Sequence, residues 1–194
     1  TVYYHKILMT NIILDQLYTM NGTDMERQDL AGEAYFMRAF SYFMLANLYG
    51  KPYHPATANE DLCVPLNKEI GLSDKMMKRA TNAAVYAQME EDINKAIQCF
   101  KAIGGEKTIF RPNLPSAYLL ASRIALFQEK YDVTILYCDS VFKVATQPLY
   151  KLQEKKDHYF FSLANKEILL SYGLTSLETH MKEDFRYTGN LVVS

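Results

Sequence analysis

The sequence predicts an all-α fold, a set of helical hairpins interrupted after the second helix by a long irregular excursion. Three stretches carry that expectation. Residues 32–53, GEAYFMRAFSYFMLANLYGKPY, are apolar on nearly every side. Residues 82–103 hold a one-sided helical period, and residues 114–142 read as two short helices around a tight turn.

In chain order, Ile7, Ile13, Leu14 and Leu17 stand at helical spacings within a first helix over residues 4–20, closed by Asn21-Gly22. Asn21-Gly22-Thr23 also fits the N-glycosylation pattern, but a helix-ending turn accounts for it without sugar. Thr23 and Glu26 then have the capping-box spacing, which announces a second helix over 24–49. Between Tyr35 and Tyr49 the strongly polar residues are Arg38, Ser41 and Asn47, and Asn47 falls opposite Arg38. A helix with no continuous polar face is packed on several sides. Gly50 stands where a left-handed cap is expected, and Pro52 forbids continuation.

Residues 51–80 form the irregular excursion, with Pro52, Pro55, Pro65 and Gly71. A structureless connection of this length is the first place to look for a site. Tyr53 and His54 could stack on a ligand and hydrogen-bond to it, or pin the loop to the helices. The pinning reading is preferred, since tyrosine ordinarily buries its ring and satisfies its hydroxyl locally. Lys75, Lys78 and Arg79, beside Asp74, read as a solvated loop end and not a phosphate patch.

In the third helix, over 82–103, Val85, Met89, Ile93, Ala96, Ile97 and Phe100 share one face, and Glu90, Glu91, Asn94, Lys95, Gln98 and Lys101 share the other. The trio Glu90-Glu91-Asp92 suggests a carboxylate or metal site, but consecutive residues splay around a helix; Glu91 and Lys95 read as a surface pair. Gly104-Gly105 ends this helix, and Asn113 caps the next between Pro112 and Pro115. Ala117, Ala121 and Ala125 let another helix approach closely, and the turn falls near Glu129-Lys130. Tyr131, Thr134, Cys138 and Val141 are spaced like the second helix of a tetratricopeptide repeat, with Thr134 a loose fit. Beyond Ala145 the signal weakens. Lys151 to His158 reads as a turn, residues 166–171 as a strand-like or extended piece, and the tail 184–194 as loop or edge structure.

With 194 residues, 49% hydrophobic and 22% charged, the chain is long enough to bury a core, and a net charge of -1 gives no reason to invoke nucleic acid. Cys63, Cys99 and Cys138 form no C-x-x-C pair, so neither a disulfide framework nor a zinc knuckle is indicated, and Cys99 and Cys138 read as small core residues. His5, His54, His158 and His180 are too scattered to form a local ligand pair. No run approaches a membrane span or a signal peptide. The chain opens in mid-pattern at Thr1-Val2-Tyr3-Tyr4 without an initiator Met, and is expected to begin inside a longer protein. There is no G-x-S-x-G elbow, phosphate loop, dinucleotide turn or H-E-x-x-H, so the protein reads as a non-enzyme with no cofactor, no metal site and no catalytic residue.

Several segments in order now suggest a family. They are Tyr3-Tyr4 through Leu17 with Asn11, the segment GEAYFMRAFSYFMLANLYGKPY, Asp61-Leu62-Cys63-Val64-Pro65-Leu66, the run Val85-Tyr86 to Asp92-Ile93 to Ala96, and RPNLPSAYLLASRIALFQEKYD. Together they resemble the SusD/RagB family of Bacteroidetes outer-membrane nutrient-binding lipoproteins, with the element from Arg38-Ala39 through Leu45 to Tyr49-Gly50-Lys51-Pro52 the most specific. The resemblance reaches Asn165-Lys166-Glu167-Ile168 and departs at Cys63, where the family usually has glycine.

The resemblance implies a single SusD-like helical domain over residues 1–194, part of a longer chain, with 51–80 as a loop insertion. It implies tetratricopeptide-like hairpins on the cell surface, held in the outer membrane by a lipid anchor upstream of Thr1. Its implied function is capture of glycans, or in some members peptides, for a SusC-like TonB-dependent transporter, and its ligand-binding residues stay unknown. The competing class is a generic helical-repeat scaffold for protein partners, which explains the hairpins but not the Tyr-Gly-Lys-Pro element and the loop after it. With no Trp in the chain, any stacking platform here uses Tyr or Phe.

Overall fold

The computed structural model describes residues 2–70, 77–105, 108–145 and 167–171. They fold into α1 (Val2–Gln16), α2 (Asp24–Tyr49), α3 (Asn82–Ile103), α4 (Leu114–Phe127) and α5 (Tyr131–Val144). Among the described residues no strand forms, and the isolated antiparallel bridge Leu62–Thr81 stands alone. The all-α expectation holds. Lys151 to His158, the tail 184–194, Asp74 and Lys75 lie outside the described residues.

Helix α2 is the hub, touching α1, α3 and α4. It buries Phe36, Ala39, Tyr42, Phe43, Leu45 and Ala46 against the dry face of α3, where Val85, Met89, Ile93, Ala96, Ile97 and Phe100 all lie in the core. Gly32 sets the closeness of the two helices: a Cβ there would stand 2.7 Å from the Phe100 ring and 3.0 Å from Cys99 Cβ. The termini follow their signals. Thr23 and Glu26 complete the capping box, with Thr23 N–H donating to Glu26 Oε2 at 2.7 Å. Asn113 does the same with Ser116, and Glu129, at φ 62°, makes the left-handed turn between α4 and α5.

Some expectations need correction. Helix α1 stops at Gln16, because the backbone N–H and hydroxyl of Thr19 both donate to the Gln16 carbonyl and turn the chain there. Gly50 is not a left-handed cap; at φ −84° its backbone is extended. The position is small for a different reason, since a Cβ would stand 2.6 Å from Ala46 O and 2.8 Å from Cys63 Sγ. The fully buried thiol is Cys63, whereas Cys99 and Cys138 are half-buried. Cys63 sits beside the Leu62–Thr81 bridge with its N–H donating to Ala80 O at 2.7 Å, so its backbone needs no glycine.

The piece at 167–171 is neither a strand nor extended; it forms a turn at Glu167 and a bend at Leu169. Leu169 and Leu170 pack on the core, Leu169 O accepts from Asn113 Nδ2 at 2.8 Å, and Ser171 N–H donates to Ile109 O at 2.7 Å. Helix α5 contributes only Val141 to the buried core, and leaves Tyr131, Ile135 and Phe142 at 60%, 59% and 63% exposure.

Candidate functional site

A buried ion pair between α2 and α3 organises the polar side of the molecule. Arg38 Nε and Nη2 donate to Asp92 Oδ2 and Oδ1 at 2.8 and 2.6 Å, a two-point fork on a carboxylate with no solvent exposure. Gln88 Nε2 adds a third bond to that carboxylate at 3.1 Å. Burial works against the charge of Arg38, but the hydrogen bonds and charge of Asp92 more than offset it and hold the guanidinium above its ordinary pKa. The Arg38 guanidinium also lies 5.6 Å from the Tyr35 ring centre, across which Lys95 Nζ stands at 5.4 Å.

The pair reaches outward through α1. Arg38 Nη1 donates to Asn11 Oδ1 at 2.9 Å, which orients the Asn11 amide so that Nδ2 donates to the carbonyls of Asn67 and Glu69 at 3.0 and 3.3 Å. Tyr4 donates to Pro65 O at 2.8 Å; the Tyr42 hydroxyl donates to Asn67 O and accepts from Asn67 N–H, both at 2.9 Å. Burial raises both tyrosine hydroxyls to about 12. Part of the excursion, residues 65–70, therefore crosses α1 and α2 as a strap whose alternate carbonyls 65, 67 and 69 are read by helix side chains.

Beside the strap lies an open cleft of about 460 Å³, lined by Asn11, Leu14, Asp15, Arg38, Lys68, Glu69 and Ile70. It offers carboxylates, an ammonium group and a guanidinium already neutralised by Asp92, with two aliphatic side chains. This chemistry suits polar ligands rich in hydrogen-bonding groups. No aromatic ring lines it, and among the described residues no three His, Cys, Asp or Glu gather to hold a metal ion.

Tyr53 packs its ring 4.7 Å from that of Tyr86, and His54 Nδ1 accepts from Ala56 N–H at 3.3 Å. Both tie the excursion to itself and to α3. Lys78 and Arg79 are both exposed, as a solvated loop end should be, but Arg79 also donates to the carbonyls of Cys63 at 2.5 Å, Leu62 at 2.8 Å and Tyr49 at 3.4 Å, clamping the excursion to the end of α2. The acidic trio does splay. Glu90 pairs with Lys130, Glu91 with Lys95 at 2.6 Å, and Asp92 turns inward. Asp92 is the residue that sequence reasoning missed, although two signals were present. It falls one turn after Gln88 and three residues after Met89 on the dry side of α3, and the lone Arg38 of an apolar helix requires a buried partner.

The chain matches over residues 1–126 the SusD-like family described as starch-binding and associating with the outer membrane. It belongs to the SusD-like family. The helices are also those of solved relatives. A SusD-like carbohydrate-binding protein from Bacteroides vulgatus ATCC 8482 is 22% identical with a TM-score of 0.73, covering 87% of this chain and 35% of that one. A SusD superfamily protein from Bacteroides thetaiotaomicron VPI-5482 is 25% identical with a TM-score of 0.71, covering 78% and 33%. A laminarin-binding SusD-like protein is 25% identical with a TM-score of 0.60, covering 72% and 28%. This SusD-like chain thus spans about a third of each solved relative's length. No curated protein matches it.

Proposed function

We propose that this SusD-like chain is part of a surface-exposed, non-enzymatic protein that captures glycans and delivers them to a SusC-like TonB-dependent transporter. The family match over residues 1–126, with its starch-binding, outer-membrane description, carries the reading. The laminarin-binding relative supports an oligosaccharide as ligand. On this reading residues 1–194 are one SusD-like helical domain of a longer chain, 51–80 are an insertion in it, and a lipid anchor outside this segment holds it to the outer membrane. No helix among the described residues is long and apolar enough to cross a membrane.

The test uses the full-length protein on a glycan array, together with co-purification of the adjacent transporter. Retention of an oligosaccharide and of the transporter is the expected result. Binding of a soluble protein with no glycan and no transporter would replace this reading with that of a helical-repeat scaffold.

A further inference from the structure

The strap and the helices beneath it are held by different kinds of bond. Among the described residues, the backbone–backbone bonds that tie this end of the excursion down join Cys63 N–H to Ala80 O and Ala80 N–H to Val64 O. From Pro65 to Glu69 the anchors to the helices are side chains: Tyr4 on the carbonyl of residue 65, Tyr42 on both backbone groups of Asn67, and Asn11 on the carbonyls of 67 and 69. Helices α2 and α3, by contrast, join through a continuous core that includes Tyr42, Leu45, Met89 and Ile93. Of the strap's apolar side chains Leu66 packs partly buried on the core and Ile70 is exposed, and a segment with so few buried apolar contacts and isolated hydrogen bonds opens at lower free energy than a core.

Asn11 is the link between the two. Its Oδ1 is committed to Arg38, and Arg38 in turn is fixed by the buried Asp92. An amide whose oxygen is held in this way presents its Nδ2 in one orientation, toward the strap. Helix α3 thereby reaches the strap through α2 and α1. Lys68, Glu69 and Ile70 form one wall of the polar cleft, and Asn11, Leu14, Asp15 and Arg38 the other, so opening of the strap removes a wall and leaves the helical wall standing.

We infer that residues 65–70 form a strap that opens independently of the helical core, and that the relay Asp92–Arg38–Asn11 is the positioning device that holds it in place as one wall of the cleft. This holds whether or not the protein captures glycans.

Hydrogen–deuterium exchange on the full-length protein tests it, comparing the peptide over 63–70 with peptides from α2 and α3. Tyr42→Phe, which removes one hydroxyl, and Asn11→Ala are each expected to raise strap exchange roughly tenfold, the weight of one or two hydrogen bonds, while α2 and α3 stay at the wild-type rate. Arg38→Lys keeps the charge beside Asp92 but loses the fork that also holds Asn11, and it accelerates the strap although Arg38 has no bond to it. Adding Arg38→Lys to Asn11→Ala changes strap exchange no further. Acceleration of strap and core together in Tyr42→Phe would overturn the independent opening. A wild-type strap rate in Arg38→Lys, or full additivity in the double variant, would overturn the relay.

Discussion

Helices α2 and α5 are both rich in apolar residues, yet they end in opposite circumstances. Helix α2 buries ten of its 26 residues and meets three other helices, whereas α5 buries one of its 14 and keeps Tyr131, Ile135 and Phe142 facing outward. The difference teaches that helical periodicity reports which face of a helix can be buried, and not how much of it the neighbouring residues cover. In α2 the coverage is completed by an ion pair. In α5 the covered face is narrow, and Tyr137 and Lys130 reach α3 through polar contacts to Asn94 and Glu90.

Four perturbations break or sharpen this contrast, beginning with the largest. Asp92→Ala leaves the Arg38 charge buried without its partner and is expected to destabilise the protein by about 3–5 kcal/mol, read as a shift in the urea unfolding midpoint. A loss below about 1 kcal/mol would mean that Arg38 relaxes into the cleft and finds water. Next, Gly32→Ala drives a methyl into Phe100 and Cys99 across the α2–α3 seam, an overpacking expected to cost about 1–3 kcal/mol in thermal unfolding.

The third concerns pH. Tyr42 has its folded pKa raised to about 12 by burial, above the ordinary value of 10, so the stability it contributes is complete below pH 10 and is lost as pH rises from about 10 toward 12. That loss reaches up to about 3 kcal/mol, and Tyr42→Phe removes its share of the alkaline decline. An unchanged pH profile in Tyr42→Phe would show the hydroxyl to be solvated in the native protein. The smallest effect belongs to α5: Ile135→Ser on its exposed stripe is expected to change stability by less than about 0.5 kcal/mol. A loss comparable to that of Gly32→Ala would erase the contrast, because Ile135 would then be buried in the native molecule.

The legible parts of the fold were those written locally. Thr23 with Glu26, Asn113 before Ser116, and the run Val85, Met89, Ile93, Ala96 each announce themselves within a few residues, and the helices form where those signals place them. The site was less legible because its bonds join distant positions through single polar residues. Arg38 and Asp92 are 54 residues apart, Tyr4 and Pro65 are 61 apart, and Asn11 and Glu69 are 58 apart. No period relates such pairs. The clamp made by the exposed Arg79 is illegible for the same reason, since its partners Tyr49 and Leu62 lie 30 and 17 residues away. Gly50 shows a different failure. It does stand at the end of α2, but what calls for a residue without Cβ is the approach of the Ala46 carbonyl and the Cys63 thiol and not a left-handed turn.

The strap contacts also bear on how a scaffold of this kind can diversify. Tyr4, Asn11 and Tyr42 grip main-chain atoms, which every substitution other than proline at the same backbone position retains. Lys68, Glu69 and Ile70 can therefore be exchanged for side chains of other charge or size without loosening the grip on 65, 67 and 69. A helical frame that holds a segment by its backbone separates the question of where that segment lies from the question of what it displays, and leaves the second free to drift.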